Sequence, residues 1–407
     1  MKKIIVLSLF LRIILMPFFA YQEDIFESHA TSYAVLQNFS NLFSIRFSPL
    51  SHFIDTIFVT IFQPLFPAHF DKIVTQDPFF MPFINRILFL YKIPYLLAEY
   101  LGYFLMVKLL QRLKVAKELQ TKLLLFLLFN PIILYGVYTF GRFESYNFFV
   151  SVAILYTLFL IRELTTMRKA LFVALLFTAA VLTREFYLLL VPIILLLRGS
   201  LVNKLLASVI PIISYALFVF SAKTKIVLIE SYGTSLLNIF GAKFHLLEDY
   251  GVYLFFVATA ILLTVIFLKK YQLFQSNLFL FAFVSFIILA SYFITSYFHP
   301  QYFIWLLPFM IVLLTFIPDA SVVGKLLLLY WILSIVFLAI PLRGAATSFG
   351  VAFPLAPTFR YITLDHLGIE HQKYSDAGRS ILSGMLIVIT WFFIQIFSNE
   401  KKAKIAR

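Results

Sequence analysis

Residues 87–107 read ILFLYKIPYLLAEYLGYFLMV, and residues 108–122 behind them read KLLQRLKVAKELQTK. The first stretch is long and apolar enough to cross a hydrocarbon core of about 30 Å as an α-helix rising about 1.5 Å per residue. The second carries Lys108, Arg112, Lys114, Lys117 and Lys122 against a single acid, Glu118. An apolar run closed by a short basic connection is the pattern of a membrane span whose following loop stays on the cytoplasmic side.

The rest of the chain repeats that pattern. Of its 407 residues, 62% are hydrophobic and 13% charged, whereas soluble domains average about 45–50% apolar and about 25% charged. A soluble enzyme cannot hide so much apolar surface, and disorder requires the opposite composition. Further apolar runs lie at 122–140, 146–161, 170–183, 186–197, 205–221, 251–268, 276–297, 301–317, 322–341 and 381–397. Lys2 and Lys3 open another that continues to Ala20 with no small-residue cleavage site behind it, which reads as an uncleaved first helix. The fold expected is an all-α polytopic membrane protein of about twelve transmembrane helices, within a range of about ten to thirteen. The runs at 170–183 and 186–197 are short, and are read either as two spans or as a re-entrant hairpin.

Charge orients the runs. With the N-terminus inside, the inner connections and the tail hold 19 Lys and Arg against four acids, and the outer connections hold 11 against 14. Both termini are then cytoplasmic. Residues 50–66 would invert this order if they spanned. They also contain His52, Asp55, Gln63 and Pro64, so an interfacial or re-entrant helix is expected there. Residues 31–44, with Leu36, Phe39, Leu42 and Phe43 on one face, suit a helix lying on the membrane surface, and 224–246 are read as a third such segment. Residues 1–407 form one domain, with a first outer loop at 21–86 and a last outer loop at 342–380.

Chemistry is expected on the outer side. All seven histidines fall there, the inner loops leave no room for a nucleotide-binding domain, and no phosphate-binding glycine motif is present. The chain has no cysteine, which excludes disulfides and thiolate chemistry. The formal charge of +14 is explained by basic helix ends, so no nucleic-acid partner is implied. Five constellations stand out. Glu23, Asp24, Glu27 and His29 follow the first helix, and crowded carboxylates raise one another's pKa and can act as general bases. Arg142 and Glu144 sit in Gly141-Arg142-Phe143-Glu144-Ser145, behind Asn130-Pro131. Ions between two apolar helices are expensive unless they pair or face an aqueous cavity. Arg184 and Glu185 lie between two short runs, where a guanidinium fork suits phosphate oxygens. His299, Gln301 and Tyr302 lead the segment Gln301-Tyr302-Phe303-Ile304-Trp305 at the outer membrane edge. In the last loop, Arg343, Arg360, Asp365, His366 and His371 complete the polar set. A divalent cation could be held there by the Asp and two His, though their spacing is loose.

The order of an acidic cluster after helix 1, a Gly-Arg-x-Glu-Ser turn, and Gln-Tyr-Phe-x-Trp-x-Leu-Pro late in the chain resembles the GT-C superfamily of lipid-dependent glycosyltransferases. Within it the likeness is closest to GPI mannosyltransferase 1 and related prokaryotic membrane mannosyltransferases. Where that family carries Asp-x-Asp, this chain has Glu23-Asp24-Ile25-Phe26-Glu27, which leaves open which carboxylate is the base. The resemblance implies a polyprenyl-phosphate sugar donor, with mannose as the sugar. It implies a lipid or glycan acceptor and inverting transfer, with Asp24 or Glu23 as base. Arg184, His299 or an arginine of the last loop would hold the donor phosphate. Membrane lipids are the remaining partners implied. No cofactor is called for beyond that divalent cation, and oligomeric state is not legible. A transporter or flippase for a lipid-linked or anionic solute is the rival reading. It should place polar groups at mid-helix, yet stretches such as 154–160 and 260–267 are almost bare.

Overall fold

The computed structural model describes residues 2–19, 22–44, 48–65, 84–221, 243–247, 250–268, 276–295, 300–317, 319–339 and 371–398. The described chain is predominantly helical. Its helices are α1 (Lys2–Leu15), α2 (Gln22–Gln37), α3 (Pro49–Phe62), α4 (Ile84–Tyr91), α5 (Ile93–Arg112), α6 (Lys117–Leu128), α7 (Pro131–Ile133), α8 (Glu144–Ile161), α9 (Met167–Thr183), α10 (Leu201–Ser221), α11 (Leu254–Leu268), α12 (Asn277–Thr295), α13 (Leu307–Leu314), α14 (Ala320–Ala339) and α15 (His371–Ser398). Five stretches among the described residues are long and apolar enough to cross a membrane: Ile84–Arg112, Lys117–Thr139, Glu144–Ile161, Leu201–Phe220 and Asn277–Thr295. Apolar side chains point outward along α1, α5, α9, α10 and α14, among them Phe10, Leu101, Leu175, Leu217 and Leu328. An apolar exterior of this kind marks a membrane protein, whose helices satisfy their own backbone. At the centre, α12 is buried over nearly its whole length from Asn277 to Phe293.

The α8–α9 hairpin sets the depth of the bundle. α8 has 18 residues and α9 has 17, or about 27 and about 25 Å at 1.5 Å per residue. The run at 186–197 is not an α-helix. It forms two consecutive 3-10 helices, Glu185–Leu189 and Val191–Leu196. The tighter winding rises about 2.0 Å per residue, so this short segment covers nearly the same depth as α9. It returns to the start of α9, where Leu164 N donates to Arg198 O at 2.8 Å and Ser200 N donates to Leu164 O at 3.2 Å. The run therefore makes a complete antiparallel pass beside α9 between the two ends of the bundle. Gly199 closes the pass at φ +146°, where a Cβ would lie 2.6 Å from Leu164 O.

Other elements also depart from a continuous-helix reading. Run 122–140 breaks at Asn130, whose Oδ1 caps Ile132 N at 3.0 Å and Ile133 N at 3.2 Å, with Pro131 in the first turn. The chain then widens into a π-helical turn, Leu134–Thr139. Run 301–317 divides into a 3-10 helix, Pro300–Trp305, and α13, with Pro308 at the new helix start. Segment 31–44 is helical to Gln37 and 3-10 helical from Phe39 to Ser44. At the end of segment 224–246, residues Lys243–Leu247 pair antiparallel with Tyr250–Tyr253 as β1 and β2. Residues 224–242 of that segment lie outside the described residues, and α11 starts after the hairpin. α3 follows expectation: its 14 residues extend about 21 Å, short of a span.

Candidate functional site

One cluster of buried polar groups lies at the end of the bundle opposite Arg112, Arg162 and Arg198. The chain reaches this end through the π-helical turn. Phe140 N donates to Tyr135 O at 2.6 Å, Gly141 adopts φ +85°, and Arg142 N returns to Gly136 O at 3.1 Å. Only a residue without a Cβ takes that φ freely. The reversal starts α8 at Glu144, which is fully buried.

Glu144 accepts three hydrogen bonds: from Asn147 Nδ2 at 2.7 Å, Trp305 Nε1 at 2.5 Å and Arg184 at 3.3 Å. Arg184, in extended backbone at the end of α9, also donates to Ser48 Oγ at 3.2 Å. Its guanidinium lies 5.2–5.6 Å from the ring centres of Phe143, Tyr302 and Trp305, a cation–π cage that favours the charged form. Trp305 is sandwiched between Phe186 at 4.1 Å and Tyr302 at 4.5 Å. Glu185 accepts from Ser48 N at 2.7 Å. Arg142 is half-buried and close enough to act electrostatically on both Arg184 and His52.

Beside this cluster, α3 brings in His52 and Asp55. His52 packs edge-on against Phe143 at 5.5 Å. Burial and the two arginines push its pKa down to about 3, so its imidazole is neutral. Asp55 is 1% exposed and accepts from Tyr146 at 2.7 Å, Tyr95 at 3.2 Å and Tyr91 at 3.3 Å. Burial raises its pKa from 3.8 to about 7 against the pull of the three hydroxyls.

Around the 141–147 turn several buried polar atoms have no hydrogen-bond partner: His52 Nδ1, Ser145 Oγ, Asn147 Oδ1, and both Oε1 and Nε2 of Gln301. Gln301 is fully buried and held so tightly against Gly136 that a Cβ on that glycine would lie 2.7 Å from the Gln301 Cβ. Leaving such groups unpaired costs about 1–3 kcal/mol each. A concentration of them beside an ion pair is the arrangement that a polar ligand would complete.

A second buried ion pair lies within the helices below. Arg12 of α1 donates to Glu99 of α5 at 2.6–3.1 Å, and also to Ser8 O, Leu128 O and Tyr103 Oη. The hydroxyls of Tyr103 and Tyr138 donate to Glu99 as well. Lys92 donates to Met16 O at 3.0 Å, Tyr138 O at 2.8 Å and Phe19 O. These bonds tie α1, α4, α5, α6 and the π-helical turn together beneath the site.

Of the residues singled out in the sequence, Arg142, Glu144, Arg184, Glu185, Gln301 and Tyr302 come together here. They converge from segments about forty and more than a hundred positions apart. Glu23, Asp24, Glu27 and His29 lie on α2, which packs along α3, but their side chains are outside the described residues. His299, Arg343, Arg360, Asp365 and His366 are also outside them, as is the side chain of His371 at the start of α15. Among the described residues no group of three His, Asp or Glu could hold a metal ion. Sequence reading passed over His52, Asp55, Ser48, Asn147 and Trp305 as site residues, and it left Arg12, Lys92 and Glu99, charges in or at the edge of helices, out of the count of loop charges. The available signal was the presence of His52 and Asp55 in a segment otherwise apolar enough to tempt as a span. The chain matches no protein-family model, no curated protein and no solved structure.

Proposed function

We propose that the protein is an integral membrane glycosyltransferase of the GT-C type, with about twelve spans. It moves a sugar, mannose by resemblance, from a polyprenyl-phosphate donor to an acceptor hydroxyl at the outer face. The carrying observation is the set of unpartnered buried polar groups around the Glu144–Arg184 pair, walled by Tyr302 and Trp305. A sugar offers several hydroxyls to such groups. A carboxylate among Glu23, Asp24 and Glu27 takes the acceptor proton as the acceptor oxygen attacks the anomeric carbon. The bond from that carbon to the phosphate oxygen breaks, the configuration inverts, and the polyprenyl phosphate leaves with the electron pair. Arg142 and Arg184 stabilise its negative charge. The charges that do lie at mid-helix, Arg12 and Glu99, are bonded to each other, whereas unpartnered polar atoms surround Glu144 and Arg184, and this favours the enzyme over a transporter, which needs a polar path across the membrane.

The test is transfer of radiolabelled mannose from polyprenyl-phosphate mannose to a host lipid extract, using membranes that contain the protein. Wild type transfers label, Asp24→Asn or Glu23→Gln abolishes transfer, and Gln301→Ala weakens it. Absence of transfer by well-folded wild-type protein, with mannosyl and glucosyl donors alike, refutes the proposal.

A further inference from the structure

The opposite end of the bundle holds a second feature that the proposed reaction does not use. Two cavities adjoin there, one of ≈ 730 Å³ and one of ≈ 360 Å³, and both are walled by Phe159, Leu160 and Arg162. The smaller one is also lined by Arg112 and Lys114 and has no carboxylate in its wall. In the larger one, Glu163 faces Arg198 at 3.6 Å across an exposed pair, which contributes little. Lys169 Nζ spends its donors on Ile161 O, Glu163 O and Thr165 Oγ1 at 3.3–3.4 Å, closing the end of α8.

The backbone is strained where it presents one of these cations, Arg162. Lys114 and Arg162 both have φ +55°; at Lys114 this is the left-handed residue of a Schellman end to α5, with Lys114 N on Gln111 O and Val115 N on Leu110 O. Arg162 has ψ −50°, and Glu163 N donates to Ile161 O at 2.5 Å across it. That is the positive-φ γ-turn, a rare and strained geometry. A strained Arg162 beside Arg112 and Lys114, in a wall without a carboxylate, points to an anionic ligand that repays the strain.

We infer that this groove between the ends of α5 and α8 binds the phosphate of an anionic phospholipid headgroup. Arg112, Lys114 and Arg162 meet the phosphate. Leu160, 54% exposed, and Phe159 carry the wall into the apolar exterior, and an acyl chain lies along them. This continuity selects a lipid over free phosphate. Basic pockets at helix ends are the usual seats of such headgroups.

Native mass spectrometry of the purified full-length protein tests this, titrating phosphatidylglycerol against phosphatidylcholine. Wild type retains phosphatidylglycerol preferentially, and millimolar inorganic phosphate does not displace it. Each lost charge weakens retention about fivefold. Arg162→Gly is the informative variant, because glycine relieves the strained φ while removing the charge, so its binding falls with no loss of thermal stability. Lys114→Ala adds a similar loss, and Arg168→Ala, which is outside the lining, leaves binding unchanged. Equal retention of the two lipids, wild-type binding by Arg162→Gly, or displacement by inorganic phosphate would overturn the assignment.

Discussion

Glu99→Gln isolates what the Arg12–Glu99 pair contributes. Arg12 is fully buried and places three guanidinium contacts on the Glu99 carboxylate, the shortest at 2.6 Å. Its other donors go to Ser8, Leu128 O and Tyr103. Glutamine keeps the volume but removes the negative charge and turns one acceptor into a donor facing the guanidinium. Arg12 is then a buried cation with only neutral acceptors. Breaking a buried pair from one side costs about 3–5 kcal/mol. Removing both charges with Arg12→Met and Glu99→Gln costs less than the two single losses added, because desolvating the two ions offsets most of their attraction and the glutamine oxygen still accepts from Tyr103 and Tyr138. The double variant should therefore recover part of what the single variants lose. The assay is reversible unfolding by denaturing detergent in mixed micelles, read by far-ultraviolet circular dichroism and analysed as a double-mutant cycle. A loss below about 1 kcal/mol for Glu99→Gln, or additive losses in the double variant, would refute the account of this pair as a mutually dependent buried unit.

Asp55 gives a pH signature. Its folded pKa of about 7 lies above the unfolded 3.8, so the folded state holds the proton more tightly. Its contribution to stability is full below about pH 4 and is lost as pH rises to about 7. Asp55→Asn should flatten the wild-type decline between about pH 4 and about pH 7, and parallel unfolding curves for the two proteins would exclude this. Trp305→Phe keeps the ring stack but deletes the 2.5 Å bond to Glu144. A loss of about 1.5–3 kcal/mol, typical of a hydrogen bond to a charged group, should appear in the same unfolding assay. Gly199→Ala forces a Cβ to 2.6 Å from Leu164 O at a positive φ and should cost about 1–3 kcal/mol, whereas Gly324→Ala, with open space around it, should be neutral or slightly stabilising. Gln301→Ala removes an amide that makes no internal hydrogen bond. It should lower kcat/KM for sugar transfer at least about tenfold while leaving thermal stability near wild type.

Helical class and apolar exterior were legible in composition, because 62% hydrophobic residues admit few other solutions. The Gly141–Glu144 turn was legible as well. A glycine followed by an arginine and a glutamate between two apolar runs has few uses, and the structure makes it a reversal that buries Glu144. Arg184 and Glu185 were legible for the same reason, as charges between apolar runs. The 3-10 winding of 185–196 was not. An apolar run of that length fits either helix, and only the distance from Arg184 back to Leu164 decides between them.

Sequence alone determined which segments seek an apolar environment and where the charges between them fall, since both follow from residue type and spacing. Which charges meet was decided by the tertiary structure. Asp55 finds three tyrosines from three other helices, and Arg12 finds Glu99 across 87 positions. Those partners depend on helix rotation and on the π-helical turn at 134–139, where a changed helical pitch re-aims Tyr138 toward Glu99. Apolar side chains pack against many neighbours nearly equally well. A buried ion or orphaned amide tolerates only a few partners, and the complete packing of the bundle brings them within reach.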